Sequence, residues 1–544
     1  MRIWTLVSPA MERHDFGFDA TGPNGGSVCF EPLTPVAFLR RSAVVHRDRP
    51  AVVDGDDQWT YGELWDRARR LAGLLRSRGV EPGDRVAAVG SNSQLLLLAH
   101  YAVPLAGALL VPVNVRLSVA ELAYIVDHSG ARIVLADREL ADLAGEVAAA
   151  ASGGPAVLAE DEVEAGLASA TPSEEPVVAE TAPLSINYTS GTTGRPKGVV
   201  YHHRGAYLQA LAMAFHNELR ADSVFLWIVP MFHCHGWCLT WGVTAAGSLH
   251  LCQRKVDPAE IWRHVRERGV SHAAAAPTVL TAMAAHPDAA PPSRPIRITT
   301  GGSPPSPALL SRLAELRVDI THAYGLTESF GPVMLCEWHP EWDALDAAAR
   351  ARLKARQGVG NVIAQRPRVI DGGGHDVPAD GETTGELVLR GNDVMLGYFD
   401  DPEATRAAQV DGWFKTGDVG VMHPDGYVEL RDRSKDVIIS GGENIASVEV
   451  EQAIAGCPGV LEVAVVGAPD DRWGERPVAF VTAEPGVEID PAAVIAHVRN
   501  LIAPFKAPRE VTVVEELPKT ATGKIQKFLL REQLWTGQKR RIGT

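Results

Sequence analysis

Residues 184–200, LSINYTSGTTGRPKGVV, gather hydroxyls, glycines and a lysine into a stretch with the chemistry to hold phosphate. A short apolar run ends at Tyr188. Thr189, Ser190, Gly191, Thr192, Thr193 and Gly194 follow, then Arg195, Pro196, Lys197 and Gly198, and a second apolar run resumes at Val199. This pattern predicts strand, glycine loop, strand. Glycine reaches positive φ and exposes its N–H at close range, and successive N–H groups form a concave nest for phosphate oxygens. The hydroxyls add donors, and Lys197 adds a mobile cation. A plain surface turn is the bland alternative. A lysine closing a polar run directly after a buried strand argues for phosphate. The loop is not that of the P-loop nucleoside triphosphatases, in which Gly-Lys is followed by Ser or Thr to hold magnesium; here Pro196 precedes Lys197 and Gly198 follows it.

Further stretches carry reactive or ligating side chains. In HAYGLTE, residues 322–328, Tyr324 can stack on a purine, Thr327 can donate to a phosphate, and Glu328 is a hard oxygen ligand suited to Mg²⁺ on a triphosphate. Taken alone, Thr327-Glu328 could equally be part of a helix cap. In PMFHCHGWC, residues 230–238, two histidines and two cysteines invite a zinc reading. Adjacent ligands point different ways, and no second pair follows at finger spacing, which argues against it. Thr299-Thr300-Gly301-Gly302-Ser303 ends an apolar run on two glycines, with Pro305 or Pro307 opening a helix. Asp418 closes WFKTGD, where a carboxylate on a tight turn can accept ribose hydroxyls or simply form the turn. Charges crowd residues 430–436 ahead of an apolar run and the pair Gly441-Gly442, a composition that suits an interdomain connector. LPKTATGKIQK, residues 517–527, is a basic loop.

Together these stretches resemble the adenylate-forming superfamily: acyl-CoA synthetases, luciferases and nonribosomal adenylation domains. TSGTTGRPKG resembles that superfamily's phosphate loop, and PMFHCHGW, THAYGLTE, LKARQGV, DRSKDVIISGGEN and ASVEVE extend the likeness over nearly the whole chain. It is nearest to acyl-activating enzymes for short- and medium-chain acids, of the butyrate–CoA ligase type. The resemblance implies ATP, Mg²⁺ and coenzyme A, with Lys524, Glu328, Thr189, Lys197 and His233 in catalysis and Glu328 with Thr189 at the metal. It places Gly301, Gly302 and Ser303, and the run His322, Ala323, Tyr324, Gly325, Leu326 and Thr327, against adenine, phosphate and the acyl chain. It assigns ribose to Asp418 and Arg433, a pivot to Lys435, and the CoA tunnel to Ser440, Gly441, Gly442 and Glu443. His233 and Trp237 become walls of the acyl pocket. A usual residue at position 235 is Asn, so His235 departs from the pattern and its role is open.

These residues need a scaffold of some size. The 544 residues exceed one ordinary core, so two or more domains are expected. Apolar runs over residues 85–89, 108–113 and 132–136, then 224–229, 271–276 and 296–300, are separated by helix-length segments. They predict α/β units and a largely parallel sheet, with two similar halves plausible. Thr60 with Glu63 predicts a capped helix through Leu75. Residues 95–113 form the most apolar stretch, but His100, Pro104 and Gly107 interrupt it, which reads as buried helix then strand rather than a membrane span. Residues 138–182 read as surface helix plus loop, and 337–357 as an exposed charged helix. Residues 385–418 read as strand-rich, and the chain beyond the connector as a small α/β domain. The expected organisation is a large domain over 1–432, with doubly wound sheets and a small β-barrel-like portion, and a mobile α/β domain over 433–544.

The net charge of −15 argues against nucleic acid and anionic membrane surfaces as partners. Scattered Cys29, Cys234, Cys238, Cys252, Cys336 and Cys457 form no disulfide framework, and the opening residues lack a signal peptide's continuous apolar core; a reducing cytoplasm is expected. The expected partners are a small carboxylic acid, ATP and CoA, with no integral membrane contact and a homodimer left open. The expected activity is carboxylate–CoA ligation through an acyl-adenylate. The alternatives are a stand-alone adenylation enzyme that loads a carrier protein and a binding protein without turnover. The stretch Phe232-His233 lacks the early acidic residue of the amino-acid-loading relatives, and no carrier domain follows Lys524 in the sequence.

Overall fold

The computed structural model describes residues 31–176, 178–189, 196–302, 305, 307–433, 436–440, 443–470, 472–520 and 525–536. Of the residues singled out above, Cys29, Ser190, Gly191, Thr192, Thr193, Gly194, Arg195, Ser303, Lys435, Gly441, Gly442 and Lys524 lie outside them.

Two large sheets build the first part of the chain. One runs, edge to edge, Gly397–Tyr398, Gly198–His202, Pro183–Tyr188, Leu109–Pro112, Arg85–Val89, Ala131–Ala136 and Ala156–Ala159. From Pro183–Tyr188 onward its neighbours are parallel; the first two strands join antiparallel. The second runs Val359–Gly360, Gly331–Leu335, Val318–Leu326, Ile296–Thr300, His272–Ala275, Val224–Trp227, Leu249–Cys252, Pro50–Asp54 and Asp57–Thr60, with a parallel centre and antiparallel edges. The expected α/β series is therefore present as two sheets. Continuous apolar strands such as Leu109–Pro112 suit a sheet covered on both faces.

The expected helices are present with their signals. Thr60 and Glu63 form a reciprocal cap on Tyr61–Ser77. Every residue of Gln94–Leu105 is buried, its first turn capped by Ser93, and the strand Leu109–Pro112 follows it. Among the described residues no helix is long and apolar enough to cross a membrane. Residues 138–182 depart from expectation. They hold the helices Ala141–Ala150 and Glu160–Leu167 with the strand Ala156–Ala159 between them. This is a four-residue edge strand, half alanine and little buried, so neither β-propensity nor alternation marks it.

The strand-rich portion before the connector is a five-stranded antiparallel sheet that includes Thr384–Leu389, Trp413–Met422 and Val428–Arg433. Beyond the connector, Glu443–Ile445, Ile438–Ser440, Gly474–Ala483, Val460–Asp470 and Glu510–Val513 form the sheet of the small α/β unit. Strand alternation sends Val465, Ala479 and Val481 to the face covered by Ser447–Ala455 and Pro491–Leu501. Ala464, Val466, Val478 and Phe480 go to the face covered by Lys527–Trp535.

Candidate functional site

The flanks of the glycine loop are the antiparallel strands Pro183–Tyr188 and Gly198–His202, as the apolar runs required. Thr189 N–H donates to the Lys197 carbonyl at 3.0 Å, and Lys197 N–H reaches Thr189 Oγ1 at 3.4 Å, so the loop is pinched at its base. Lys197 is exposed, and its ammonium sits 4.9 Å from the centre of the Tyr398 ring.

The strand Val318–Leu326 carries the HAYGLT run and bends into a short turn at Thr327–Ser329. Residues 324–328 are half-buried, at and just beyond the carboxyl end of an inner strand of the second sheet. Tyr324 Oη donates to Asp418 Oδ2 at 2.5 Å, and Asp418 lies opposite Arg433 across the Trp413–Met422/Val428–Arg433 pair. Three residues chosen from separate stretches thus converge. Gly325 packs so tightly that an added Cβ would fall 1.7 Å from the Gly331 carbonyl oxygen, and one on Gly301 would meet the Ala323 carbonyl at 2.9 Å and the Trp237 ring at 3.5 Å. Gly302 has φ +94° with open space beside it. His322 is buried and pushed down to about 4 by desolvation; neutral, it donates from Nδ1 to the Arg356 carbonyl at 2.9 Å. It serves the strand's packing rather than carrying charge.

Glu328 is linked to the loop by a residue outside every motif. Tyr398 Oη donates to Glu328 Oε1 at 2.8 Å, under the ring that carries the Lys197 ammonium on its face. Tyr201, stacked on Phe330 at 3.8 Å, donates its hydroxyl to the Thr327 carbonyl at 2.6 Å and braces the same turn. Neither tyrosine stands out from its sequence context: each is an aromatic in a strand, which ordinarily means core. The oxygens of Glu328 and Thr189 fit a triphosphate-borne Mg²⁺, an ion that takes one or two carboxylates and shares the phosphates, and the Lys197 ammonium suits the phosphates themselves.

Residues 234–238 form a buried left-handed turn. Cys234, His235, Gly236, Trp237 and Cys238 all hold positive φ, from +50° to +62°. For side-chain-bearing residues this costs roughly 1–2 kcal/mol each, so the surroundings must impose it. His235 is the fastener. Fully buried, it meets Ser185 Oγ at 2.6 Å and Asn187 Nδ2 at 2.7 Å through Nε2, tying the turn to the strand that leads into the glycine loop. Its departure from Asn therefore falls at a buried position that joins two elements. Burial pushes His235 well below its ordinary range and the Cys234 thiol up to about 12. A thiol held protonated, beside an imidazole whose Nε2 is already engaged by Ser185 and Asn187, makes a poor zinc site. Trp237, 8% exposed, lies over Gly301 and Gly331. His233 is half-buried, with its Nε2 3.7 Å from Cys234 Sγ.

The other sequence-derived residues lie around the connector. Ser440 and Glu443 face each other in the hairpin Ile438–Ser440/Glu443–Ile445. Lys519 bridges Ile525, and Gln526 N–H donates to the Pro518 carbonyl at 2.7 Å, so the described residues on either side of Lys524 pair with one another.

Comparison with known proteins bears on all of this. The profile of the family described as AMP-binding enzyme matches residues 39–399, and that of the AMP-binding enzyme C-terminal domain matches residues 449–524. The 2-methylpropanoate–CoA ligase CCL4 of Humulus lupulus is 42% identical over 527 residues, covering 92% of this chain and 95% of that protein. The peroxisomal acetate/butyrate–CoA ligase AAE7 of Arabidopsis thaliana is 40% identical over 538 residues, covering 92% and 94%. Among solved structures, ATP-bound MatB from Rhodopseudomonas palustris superposes with a TM-score of 0.81 at 28% identity, covering 92% of this chain and 99% of that one. The resemblance read from the motifs is borne out: the chain belongs to the AMP-binding enzyme family, within the adenylate-forming superfamily.

Proposed function

We propose that this protein is an ATP-dependent carboxylate–CoA ligase acting on a short- to medium-chain aliphatic acid. The observation that carries this reading is the convergence of Tyr324, Asp418 and Glu328 on one half-buried strand end that also receives Lys197 through Tyr398. Such a strand end suits a nucleotide laid with its base and ribose at Tyr324 and Asp418 and its phosphates toward Glu328 and the glycine loop. Relatives named as acetate, butyrate and 2-methylpropanoate ligases support CoA as the acceptor and a small acid as substrate. The apolar wall of Trp237 against Gly301 suits an alkyl chain.

In the first half-reaction a carboxylate oxygen bonds to the α-phosphorus, the bond to the bridging oxygen breaks, and pyrophosphate leaves with the electron pair. Lys197, the glycine loop and Lys524 offset the approach of two anions. Mg²⁺, when bound at Glu328, would neutralise the departing phosphates. Asp418 and Arg433 hold the ribose, and His233 stands at the acyl wall. In the second half-reaction the CoA sulfur bonds to the activated carbonyl carbon, the carbon–oxygen bond breaks, AMP leaves and the thiol proton passes to solvent. Rotation of residues 433–544 about Lys435 would withdraw Lys524 and bring Ser440 and Glu443 to the CoA path.

A panel of carboxylic acids, assayed for pyrophosphate release with and without CoA, tests the reading. Release with small aliphatic acids and thioester formation with CoA is the expected result. Pyrophosphate release without any CoA thioester would refute the acceptor, and no release with any acid would refute the enzyme.

A further inference from the structure

Tyr398 is absent from every motif quoted above, yet it touches two of them. Its hydroxyl donates to Glu328 Oε1 at 2.8 Å, and the face of its ring carries the Lys197 ammonium, 4.9 Å from the ring centre. The tyrosine is itself held firmly. Gly397–Tyr398 pairs with Gly198–His202, with Tyr398 opposite Val199. Tyr398 N–H donates to Thr405 Oγ1 at 2.9 Å, and Phe399 N–H donates to the Gly198 carbonyl at 2.7 Å. The same segment reaches back to the Glu328 turn, where Met395 N–H donates to the Glu328 carbonyl at 2.8 Å. One short stretch therefore fixes the exit of the glycine loop and the Thr327–Ser329 turn together.

A carboxylate and an ammonium in one cleft tend to collapse into a direct pair, which would neutralise both before a substrate arrives. Among the described residues no ion pair joins Lys197 to Glu328. The aromatic ring offers the ammonium a face to rest on, and the hydroxyl offers the carboxylate a donor. From this geometry, and resting on the proposed function, we infer that Tyr398 is a positioning residue: it keeps Lys197 and Glu328 apart and holds the Glu328 carboxylate aimed for the Mg²⁺ carried by the triphosphate. It touches neither reacting atom and acts through Glu328. Burial beside Glu328 also raises the phenol well above its ordinary range, so the hydroxyl stays a donor at any working pH.

The test is a double-variant cycle read by calorimetry on the full chain, with a non-hydrolysable ATP analogue in the presence of Mg²⁺ or of a chelator. Tyr398→Phe keeps the ring and removes the donor. It should weaken binding of the Mg²⁺-bound analogue about tenfold, the order expected for one hydrogen bond to a charged group, and leave binding of the metal-free analogue unchanged. In a Glu328→Gln background the same substitution should have no further effect. A merely structural tyrosine would weaken both forms of the nucleotide in both backgrounds. Thioester formation from supplied acyl-AMP and the melting curve should match the parent protein. The inference is overturned if Tyr398→Phe binds the Mg²⁺-bound analogue as the parent does, or if its loss is the same with Gln at position 328. Failure of the parent protein to show any Mg²⁺-dependent binding would instead overturn the proposed function beneath it.

Discussion

A cluster at the junction between the large and small units yields a prediction with a worked magnitude. Lys527 Nζ pairs with Glu451 at 2.7 Å and donates to Ser447 Oγ at 2.7 Å, and Ser447 N–H donates to Asp432 Oδ2 at 2.5 Å. Asp432 lies near the end of Val428–Arg433 in the large unit, while Ser447, Glu451 and Lys527 belong to the small one. Burial would discharge Lys527, but Glu451, Asp432 and Asp436 hold it charged. Asp436 has Arg531 as well, yet burial leaves both Glu451 and Asp432 above the ordinary carboxylate range. Lys527→Met removes the shared cation and strands two carboxylates. Breaking such a buried pair costs about 3–5 kcal/mol. The Lys527 and Glu451 side chains remain 16% and 17% exposed, so the lower end applies.

A loss of about 3 kcal/mol is roughly a hundredfold in the opening equilibrium. Hydrogen exchange at the Val465 amide, which donates to Glu451 at 2.7 Å, reads that opening locally, where a melting temperature would blend two units. The sign with pH follows. A carboxyl whose folded pKa lies above its unfolded value adds stability below the unfolded pKa and loses it as pH rises through the folded one. The variant's deficit should therefore be larger at pH 8 than at pH 5. As a control, Arg476→Met breaks the Arg476–Glu510 pair, with side chains 27% and 49% exposed, and should cost no more than about 1 kcal/mol. Exchange at Val465 within threefold of the parent, or a deficit that grows toward acid, would refute the reasoning.

Three other perturbations follow. Lys524→Ala should slow acyl-adenylate formation about a hundred- to a thousandfold and spare thioester formation from supplied acyl-AMP; equal loss in both half-reactions, read by pyrophosphate release and thioester yield, would count against the assignment. Gly325→Ala should abolish nucleotide binding and destabilise the fold, because its Cβ would fall 1.7 Å from a backbone oxygen that cannot yield, whereas Gly302→Ala meets open space and should fold at a cost of about 1 kcal/mol for its positive φ; circular dichroism and nucleotide titration separate the two. Elemental analysis of the purified protein should find far less than one zinc per chain, since the Cys234 and Cys238 thiols are held protonated by burial and His235 is committed to Ser185 and Asn187.

Much of this site was legible because its parts are local. The glycine loop, HAYGLTE and WFKTGD each announce themselves by composition within ten residues, and the strands flanking them are apolar runs that admit one reading. What stayed hidden was long-range. Tyr398 reaches Glu328 across 70 residues and Tyr201 reaches Thr327 across 126. A tyrosine in a strand carries no mark separating a core ring from a brace. His235 failed differently. The Cys-His spacing made zinc worth weighing, but the answer lay in a run of positive φ that no residue type at these positions except Gly236 would suggest. The edge strand Ala156–Ala159 was invisible because alanine prefers neither period.

Electrostatics explain why spacing between charges matters more here than their number. With a net charge of −15, the chain repels ATP, the carboxylate and CoA alike at long range, so each must be captured at close range by a few cations. A direct Lys197–Glu328 pair would remove one of those cations and the only carboxylate on that turn at once. The Tyr398 ring prevents this without adding charge. The same logic recurs at the junction, where Lys527 is held by Glu451 and Asp432 and is thereby not free to draw phosphate to the wrong place. A site for polyanions on an acidic protein is thus built as much by occupying the wrong cations as by presenting the right ones.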